Sequence, residues 1–564
     1  MVARAQRLDV KAAPELCCAQ SAGQTLQAKP RALVSAGTMP SALPSPKNSD
    51  REAWGSRICI SSATWRINSD IHPWYDCVGH LDMDTPVSPS SARRGALARC
   101  AGYFITAHHS LGRDFISSHP GGDVILNAAG GSIDPFWKIF NIHHKQYVYD
   151  ILEQYRVGVI DPTDLVNGEV PSAVIDDPFE KDPTRDARML MHTEKPCNAE
   201  PPGEVLNEFL TPNELFFVRN HLWVPDVSDP EEHEVTIVTF DGDEVTFTVR
   251  ELRQIFKEHS VTAVLQCSGN RRSHMSKQGG DTQGLPWDVG AIGNAKWTGV
   301  LLRDVLREVG LDVNEPPEDV QHVQFLGSEA YGASIPIDKA VDRRGDVLLV
   351  YQMNDQPLPK DHGAPLRVLV PGHVAARSVK WVKKIILSDE ESQSQWQQRD
   401  YKCFGPNIKN DPDWSSAPAI QEMPVQSAVT AVRSSGSKIS KGADRTNVIS
   451  THDADSERTI LEGYAFSGGG RTIVRVDVST DGGRTWDQAE LLASPSQGSK
   501  SWCWQRWQYS VPAGAVGEGF LVKAVDEAYN TQPEGYGPNW NFRGNLTCGW
   551  QRVPANKPEE PQGR

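Results

Sequence analysis

The sequence lacks long apolar runs, has few cysteines and carries no excess of basic residues. No stretch of its 564 residues approaches the roughly 18 consecutive apolar residues that span a bilayer, so no membrane span is expected. Ten cysteines, with one adjacent pair at Cys17-Cys18 and no Cys-x-x-Cys, exclude a disulfide scaffold and a zinc site of cysteines alone. Asp and Glu number 72 against 57 Lys and Arg, giving a formal charge of −15. This charge argues against nucleic acid or an anionic membrane as a partner and suits a basic protein.

The length and the changes in composition predict an α+β multidomain protein. At about 150 residues per domain, the chain corresponds to about three or four domains. Before Asp50, six basic residues stand against two acidic ones among frequent Ser and Ala, which is typical of a mitochondrial or plastid transit peptide and also of a disordered tail. We predict five segments: a transit peptide or disordered tail over 1–99, a compact domain over 100–161, a flexible linker over 162–190, an α+β domain over 191–398 and an all-β domain over 399–558.

Local patterns support the two larger domains. Glu234–Val249 has the alternation of a β-hairpin around a central turn, and Val261–Leu265 has the composition of a short strand. Further along, Val474, Val476 and Val478 alternate with polar residues, as in a half-buried strand. Short strands separated by glycine turns predict that the all-β domain is a sandwich.

Two histidines of the first domain stand in a pattern suited to haem. His119 lies in the turn-forming stretch Ser118–Gly122. Asp134 can cap a following helix, and one apolar face of that helix is formed by Phe136, Ile139, Phe140 and His143. His144 points about 100° away from this face. Two imidazoles on opposite walls of an apolar slot bind haem iron from both sides, as in electron-transfer sites, whereas the plainer alternative is a packed core histidine.

This stretch resembles cytochrome b5 domains. The His-Pro-Gly-Gly sequence at His119, the apolar helix, the Ala-Gly-Gly at 129–131 and the downstream His143 match in order over about 60 residues. The resemblance implies a haem-binding domain in which His119 and His143 are the axial ligands of haem b. Ala101–Asp114 carries only a remnant of the strands with which such domains begin. Two interpretations remain open: an exon is wrong, or the haem domain over 100–161 is incomplete at its start.

The stretch Leu265–Arg272 carries the densest chemistry of the sequence. Cys267 follows the end of a predicted strand, where its sulfur can face a cleft, and Arg271 and Arg272 would favour its thiolate. A thiolate is a soft ligand for a redox metal. The alternative is an inert buried cysteine beside two solvated arginines.

The surroundings of Cys267 resemble the catalytic domain of eukaryotic sulfite oxidases and, more distantly, that of assimilatory nitrate reductases. The resemblance spans roughly residues 100–555, and no single block carries it. The matching blocks include Asn198–Pro202, Phe216–His221, Gly284–Trp287, Ala330–Pro336, Asp361–Gly363, Val379–Trp381, Tyr464–Gly470 and Trp540–Gly544. The fold that it implies is an α+β molybdopterin domain followed by a C-terminal Ig-like β-sandwich, which the family uses for dimerisation.

The resemblance also implies the residues of the site. Cys267 would be the one protein ligand of molybdenum. The positions that match molybdopterin binding are Phe217, Val218, Arg219, Asn220, His221, Cys267, His362, Arg367, Ser378, Val379 and Lys380. The positions that match the substrate pocket are Arg219, Arg272, Trp287, Tyr331 and Arg543. Several arginines in one pocket of an acidic protein suit a small anion such as sulfite.

A member of this family is expected to oxidise sulfite to sulfate and to pass electrons one at a time through haem b to cytochrome c. The resemblance further implies a homodimer in the mitochondrial intermembrane space. Nitrate reductases place the cytochrome b5 domain after the molybdenum domain and add a flavin module, which is the reverse of the order here. A cofactor-free binding protein with b5-like and Ig-like domains is an alternative from a different class, and it predicts neither molybdenum nor haem.

Overall fold

The computed structural model describes eleven ranges of the chain. They are 81–82, 125, 132–144, 146–154, 159–160, 177–329, 331–410, 412–434, 458–495, 500–512 and 519–554. His119 and nearly all of the predicted transit peptide or tail lie outside the described residues. Two short strands, Leu81–Asp82 and Val159–Ile160, pair antiparallel. Among the described residues, no helix combines the length and the apolar character needed to cross a membrane.

The helical part of the first domain differs from the predicted single helix. It consists of an α-helix, a 3-10 helix and a second α-helix, with bounds Asp134–Ile139, Asn141–His144 and Gln146–Gln154. The first helix ends because Phe140, at φ −113° and ψ 87°, leaves the helical region, so His143 lies in the 3-10 helix. The predicted cap is also wrong by one position, since Ile133 is the N-cap and the amide of Asp134 instead donates to Ser132 Oγ at 3.1 Å.

The described half of the predicted linker, residues 177–190, is packed against the α+β domain. Phe179 is buried, with 4% of its surface exposed. Its ring lies 5.6 Å from the ring of Phe140 and 6.2 Å from that of Trp223. The backbone amide of Val224 donates to Asp182 at 2.9 Å. Residues 162–176 of the predicted linker lie outside the described residues.

Three sheets form the α+β domain. A small antiparallel sheet contains Leu190–Thr193, Asn198–Glu200 and Val218–Arg219. A five-stranded sheet contains, in spatial order, Gly332–Pro336, His322–Gly327, Val382–Ser388, Glu234–Val238 and Glu244–Thr248. The third sheet contains Gln356–Pro357, Leu348–Met353, Ile292–Leu301 and Glu258–Gln266 in spatial order, with Arg367–Leu369 also paired to Leu348–Met353. The predicted hairpin after Glu234 is confirmed.

The helices of this domain are short. The α-helices are Val249–Ile255, Arg272–Gly279, Leu302–Glu308 and Ile337–Val341. The 3-10 helices are Gly203–Asn207, Asn213–Leu215, Lys360–His362 and Ala375–Arg377, and a π-helix spans Trp396–Asp400. Thr248 and Glu251 form a reciprocal capping box at the start of the first α-helix. Val305 and Leu306 pack into the core beside the sheet strands.

In its described residues, the C-terminal region is a β-sandwich of two antiparallel four-stranded sheets, as predicted. One sheet contains Gln426–Ser434, Arg458–Phe466, Gln505–Pro512 and Glu490–Leu491 in spatial order. The other contains Asp487–Gln488, Ile473–Ser479, Phe520–Asp526 and Gln551–Val553. Two 3-10 helices, Trp414–Ser416 and Gly537–Asn539, flank the sandwich.

The predicted alternation in the sandwich holds at two of its three valines. Val476 and Val478 are buried in the shared core of the two sheets. Val474 is 43% exposed, contrary to the prediction. The pairing register shifts between Ile473 and Arg475, and such a bulge changes which face the intervening side chain occupies.

Candidate active site

Cys267 lies directly after the strand Glu258–Gln266, as the sequence predicted, and is 5% exposed. Its amide donates to Ala291 O at 2.9 Å, and its carbonyl accepts from the amide of Asn270 at 3.0 Å. The Asn270 side chain bonds to Tyr464 Oη at 2.9 Å and to the amide of Ala291 at 3.1 Å. These bonds hold the turn so that the cysteine faces a cavity.

The two arginines after this turn point to different places. Arg271, with φ 63°, is fully buried, and its guanidinium donates to Ser427 O at 3.0 Å and to Gly549 O at 2.9 Å. Both carbonyls belong to the C-terminal region, so the expectation that Arg271 acts beside Cys267 is wrong. Arg272 donates to Leu285 O and Arg543 O, each at 2.8 Å.

Two glycines make room for the guanidinium of Arg272. A Cβ on Gly269 would overlap it, and a Cβ on Gly284, whose φ is +136°, would lie 2.8 Å from its Cζ. Burial lowers the pKa of Arg272, while the nearby thiol of Cys267 acts to raise it. The chain therefore fixes a buried cation close to the cysteine.

We call the space in front of the cysteine the Cys267 cavity and define it by its lining residues. These are Phe216, Phe217, Arg219, His221, Leu265, Cys267, Ser268, Glu329, Tyr331, Asp361, His362, Arg367, Ala375, Ala376, Ser378, Val379, Lys380 and Tyr401. They come from several sheets and loops of the α+β domain. Ten of the residues predicted to bind the cofactor or substrate are among them.

The cavity holds more unpaired positive than negative charge. In the described part of the chain, no carboxylate lies within ion-pair distance of Arg219, Arg367 or Lys380. Arg367 is 5% exposed and donates to His362 O at 2.8 Å and Ser378 O at 2.9 Å. Its buried Nε has no hydrogen-bond partner among the described residues. Burial lowers the pKa of Arg367 to about 9 and that of Lys380 to about 8.

Arg219 is anchored by one nitrogen. Its Nη1 donates to Asn220 O at 2.7 Å and to Asn198 Oδ1 at 3.1 Å. Burial acts to lower the pKa of Arg219, but nearby Tyr401 and Cys267 raise it above its usual value. Arg219 lines the same cavity as Cys267, so its remaining N–H groups are available to an anion there.

Aromatic rings form one wall of the cavity. His221 Nε2 lies 3.0 Å from Tyr401 Oη, and its ring centroid is 4.9 Å from that of Tyr331. Tyr331 Oη donates to Ala376 O at 2.9 Å, and its ring lies 4.7 Å from that of Trp396. Burial lowers the pKa of His221 well below its usual value, so this imidazole is neutral at pH 7.

His362 and Asp361 form another part of the wall. His362 Nε2 donates to Asn213 O at 3.0 Å, and burial lowers its pKa to about 4. Burial would raise the pKa of Asp361, but its pair with Arg185 lowers it below its usual value. Asn220 Nδ2 donates to the same carboxylate at 2.9 Å.

Some predicted site residues do not line the cavity. Trp287 is fully buried against His192, with ring centroids 4.7 Å apart. Val218 belongs to a small core cluster. Arg543 forms an ion pair with Asp400. These three residues are not among the lining residues defined above, and the same is true of Asn220 and Arg272.

The described haem-ligand candidate, His143, is partly buried and stacks on Trp137 with centroids 4.3 Å apart. His144 is exposed. The predicted difference between the two histidines is therefore present, although they lie in a 3-10 helix. The ligand role of His143 stays a prediction.

Sequence reasoning missed four polar residues at or beside the cavity: Glu329, Asp361, Asp400 and Tyr401. Asp361 lies within a block that carried the family resemblance, and Glu329 lies next to one. Their positions beside His362 and Tyr331 in the sequence were therefore the available signal. Asp400 and Tyr401 end the π-helix Trp396–Asp400. No local pattern in the sequence indicates a π-helix, a feature that is frequent at functional sites.

Two family models match the chain. One described as "Oxidoreductase molybdopterin binding domain" matches residues 221–396. One described as "Mo-co oxidoreductase dimerisation domain" matches residues 417–557. The first match contains most of the Cys267 cavity, and the second contains the sandwich.

Curated relatives and a solved structure are similar over most of the chain. The sulfite oxidase of Gallus gallus is 47% identical over 453 residues, covering 78% of this chain and 93% of that protein. The mitochondrial sulfite oxidase of Rattus norvegicus is 43% identical over 451 residues, covering 78% of each. The crystal structure of the sulfane dehydrogenase SoxCD from Paracoccus pantotrophus has a TM-score of 0.51 at 23% identity, covering 69% of this chain and 95% of that one. That likeness shows the fold alone.

Proposed function

This chain belongs to the sulfite oxidase family, and we propose that it is a molybdenum oxidoreductase that converts sulfite and water into sulfate, two protons and two electrons. The observation that carries the proposal is the Cys267 cavity, where a buried thiol stands among cations that have no carboxylate partner in the described part of the chain. Buried cations without counter-ions are costly. They suit a site that is completed by anions.

The donor set fits molybdopterin. The unpartnered Nε of buried Arg367 and the ammonium of Lys380 suit its phosphate, and Cys267 supplies a soft ligand for its metal. When bound, this cofactor supplies the oxygen-atom and two-electron chemistry. We propose that it is held by Phe217, Val218, Arg219, Asn220, His221, Cys267, His362, Arg367, Ser378, Val379 and Lys380.

The chain's own contribution to the reaction is to bind and orient the anion. Arg219 and Arg272 are both fixed through hydrogen bonds to carbonyl oxygens, so they are oriented before sulfite arrives. Arg543 adds a third cation, which Asp400 partly offsets. Trp287 and Tyr331 fix the shape of the site through buried ring packing.

The proposal extends to electron transfer and location. Haem b, bound by His119 and His143, would receive electrons one at a time and pass them to cytochrome c. The −15 charge of the chain suits a basic acceptor. We further propose an Ig-like dimerisation domain that forms a homodimer, and a mitochondrial location in the intermembrane space, as the name of the rat relative suggests for the organelle.

The test is a sulfite-dependent cytochrome c reduction assay with molybdenum and haem analysis on the same sample. We expect molybdenum near one atom per protomer and reduction that requires sulfite. A sample that is loaded with molybdenum but inactive towards sulfite, with cytochrome c and with an artificial acceptor, would contradict the proposal. Nitrate supplied with a reduced viologen dye should give no nitrite. This result distinguishes the proposed sulfite oxidase activity from the nitrate reductase alternative.

The Cys267→Ser variant tests the proposed role of Cys267 as the metal ligand. A hydroxyl is a harder and less acidic ligand than a thiol, so turnover should be lost while the folded structure is retained. The matched control is Cys503→Ser, which changes a buried cysteine outside the cavity. Sulfite turnover in Cys267→Ser at the level of the control would remove Cys267 from the metal site.

A further inference from the structure

Two lysines lie against the ring of Trp502, outside the Cys267 cavity. Lys339 Nζ is 4.4 Å from the ring centroid, and Lys500 Nζ is 5.6 Å from it. Lys339 belongs to the short helix Ile337–Val341, whereas Lys500 precedes the tryptophan in the C-terminal region. The tryptophan is 4% exposed, and both lysines are partly buried. Two positive charges therefore lie beside one apolar ring, where water screens them less than at an open surface.

No carboxylate neutralises either lysine directly. In the part of the chain that the structure describes, neither Lys339 nor Lys500 has an ion-pair partner. The three acids whose charges influence Lys339 have other partners, namely the amide of Arg344 for Asp342, Trp502 Nε1 for Asp346 and Arg471 for Glu422. Lys339 Nζ donates to Gly345 O at 2.9 Å. The amine is thus fixed by a neutral carbonyl and not by an opposite charge.

These surroundings favour the neutral amine of Lys339. Burial lowers its pKa from a usual value of 10.5 to about 8, and the charge of Lys500 acts in the same direction, against the three acids. His373, which Lys339 also influences, adds no positive charge at pH 7, because its own pKa is lowered to about 3, mainly by burial. A neutral lysine amine is a nucleophile, and burial and a neighbouring cation are two ways in which proteins produce one.

We propose that Lys339 is a covalent modification site for small aldehydes that carry a carboxylate. The amine nitrogen attacks the carbonyl carbon to give a carbinolamine, and loss of water then leaves a C=N bond in place of the C=O bond. Both hydrogens of the neutral amine leave with the carbonyl oxygen as water, so the step needs no oxidant or reductant. Lys500 supplies one unpaired positive charge, which matches one carboxylate. The site does not depend on the proposed function, since neither lysine lines the Cys267 cavity.

The experiment treats the purified full-length protein with glyoxylate and sodium cyanoborohydride. The hydride reagent converts the imine into a stable secondary amine, which peptide mass spectrometry locates and quantifies. At pH 7 we expect glyoxylate to label Lys339 about 30-fold faster than Lys257, an exposed lysine of the same domain, because a lowered pKa leaves more neutral amine. The rate at Lys339 should stop rising with pH above about 8, where its amine is already neutral.

Lys500→Gln tests the role of the second lysine, with uncharged propionaldehyde as a second probe. Labelling of Lys339 by glyoxylate at pH 7 should fall about 10-fold, because the variant loses both the repulsion that favours the neutral amine and the charge that binds the carboxylate. Labelling by propionaldehyde should fall only about 2- to 3-fold, since only the first effect applies. Lys383→Gln, at an exposed position, is the control and should change neither rate. Unchanged unfolding temperatures check that both variants keep the fold.

A purely structural role for Lys339 gives different results. An ammonium group that only holds the carbonyl of Gly345 predicts labelling no faster than that of Lys257 at pH 7, and a rate that still rises above about pH 9. Either result overturns the proposal. Equal losses with the two aldehydes in Lys500→Gln also overturn it, because Lys500 would then not bind the carboxylate. A rate that levels off near pH 8, together with a larger loss for glyoxylate than for propionaldehyde, supports it.

Discussion

Arg185 holds the carboxylate of Asp361 through two hydrogen bonds, from Nε to Oδ2 and from Nη2 to Oδ1, each 2.9 Å long. Both side chains are largely buried, with 14% and 10% of their surfaces exposed. Arg185 lies within the predicted linker, and Asp361 precedes His362 in the wall of the Cys267 cavity. The pair therefore joins the segment before the small sheet to the proposed cofactor site.

Replacing Arg185 with Met should leave Asp361 as a buried carboxylate without its cation. Breaking a buried pair from one side costs about 3–5 kcal/mol, because the remaining charge stays desolvated. The free energy of unfolding, measured by urea denaturation of the cofactor-free protein, should fall by that amount.

Arg188→Met is the matched control for this change. Arg188 also pairs with a nearby aspartate, Asp186, but its side chain is 59% exposed. An exposed pair contributes about 0–1 kcal/mol. Equal losses in the two variants would mean that the Arg185–Asp361 pair is not specially stabilising.

The position of Cys267 could be predicted from the sequence because it depends on local structure. A strand pattern ends just before it, and the end of a strand places a side chain at the edge of a sheet. The different directions of Arg271 and Arg272 could not be predicted. The direction of Arg271 depends on carbonyl groups of Ser427 and Gly549, which only the packing of the C-terminal region brings near.

Two other differences between the structure and the expectations from the sequence have local causes, which hydrophobic periodicity does not reveal. The helix from Asp134 ends at Ile139, although the apolar spacing continues through His143. Val474 lies at a bulge, so alternation fails there. Glu329 illustrates a further limit, since only the folded cavity reveals that its second oxygen is buried without a partner.

Arg219→Gln should weaken sulfite binding. The substitution removes a fixed cation, and a hydrogen bond to a charged group contributes about 1.5–3 kcal/mol. With rates normalised to molybdenum content, the KM for sulfite should rise about 10- to 100-fold. Arg219→Lys keeps the charge but loses the planar pair of donors, so its KM should lie between those of the wild type and the Gln variant.

Arg250→Gln is the control for the substrate site, because Arg250 pairs with Glu232 on the surface, where its side chain is 53% exposed. Its KM should equal that of the wild type. A wild-type KM in Arg219→Gln would place sulfite elsewhere.

The stability of the cofactor-free protein should depend on pH through His362. Its pKa is lowered to about 4 in the folded chain, mainly by burial, from a usual value of 6.5. Between these pH values the unfolded chain binds more protons, so the free energy of unfolding falls as the pH falls from 6.5 to 4, by up to about 3 kcal/mol. Urea denaturation at pH 7.5 and pH 4.5 measures this loss, which should be smaller in His362→Gln.

Glu329 acts in the opposite direction over an overlapping range. Its pKa is raised to about 7, so the folded chain binds more protons than the unfolded chain from pH 7 down to about 4.5, and acidification stabilises it. Glu329→Gln should therefore steepen the loss of stability at low pH, whereas His362→Gln should reduce it. His144→Gln, at an exposed position, should leave the pH profile unchanged. If the dependence of unfolding free energy on pH changes with the same sign in Glu329→Gln and His362→Gln, the opposite pKa shifts of Glu329 and His362 are contradicted.

Arg271→Met should uncouple the C-terminal sandwich from the α+β domain. The guanidinium of Arg271 donates to Ser427 O, Gly549 O and Tyr536 Oη, and its removal takes this donor from all three oxygens, of which Gly549 O keeps a longer bond from Gln532 Nε2 at 3.4 Å. Each buried unsatisfied group costs about 1–3 kcal/mol, which is enough to lower the unfolding temperature of the sandwich below that of the α+β domain. Calorimetry should then resolve two transitions where the wild type has one. Arg475→Met is the control, because Arg475 lies in the same sandwich, pairs with nearby Asp477 and is 45% exposed. Two transitions in the control, or a single unshifted one in Arg271→Met, would show that Arg271 does not couple the two parts.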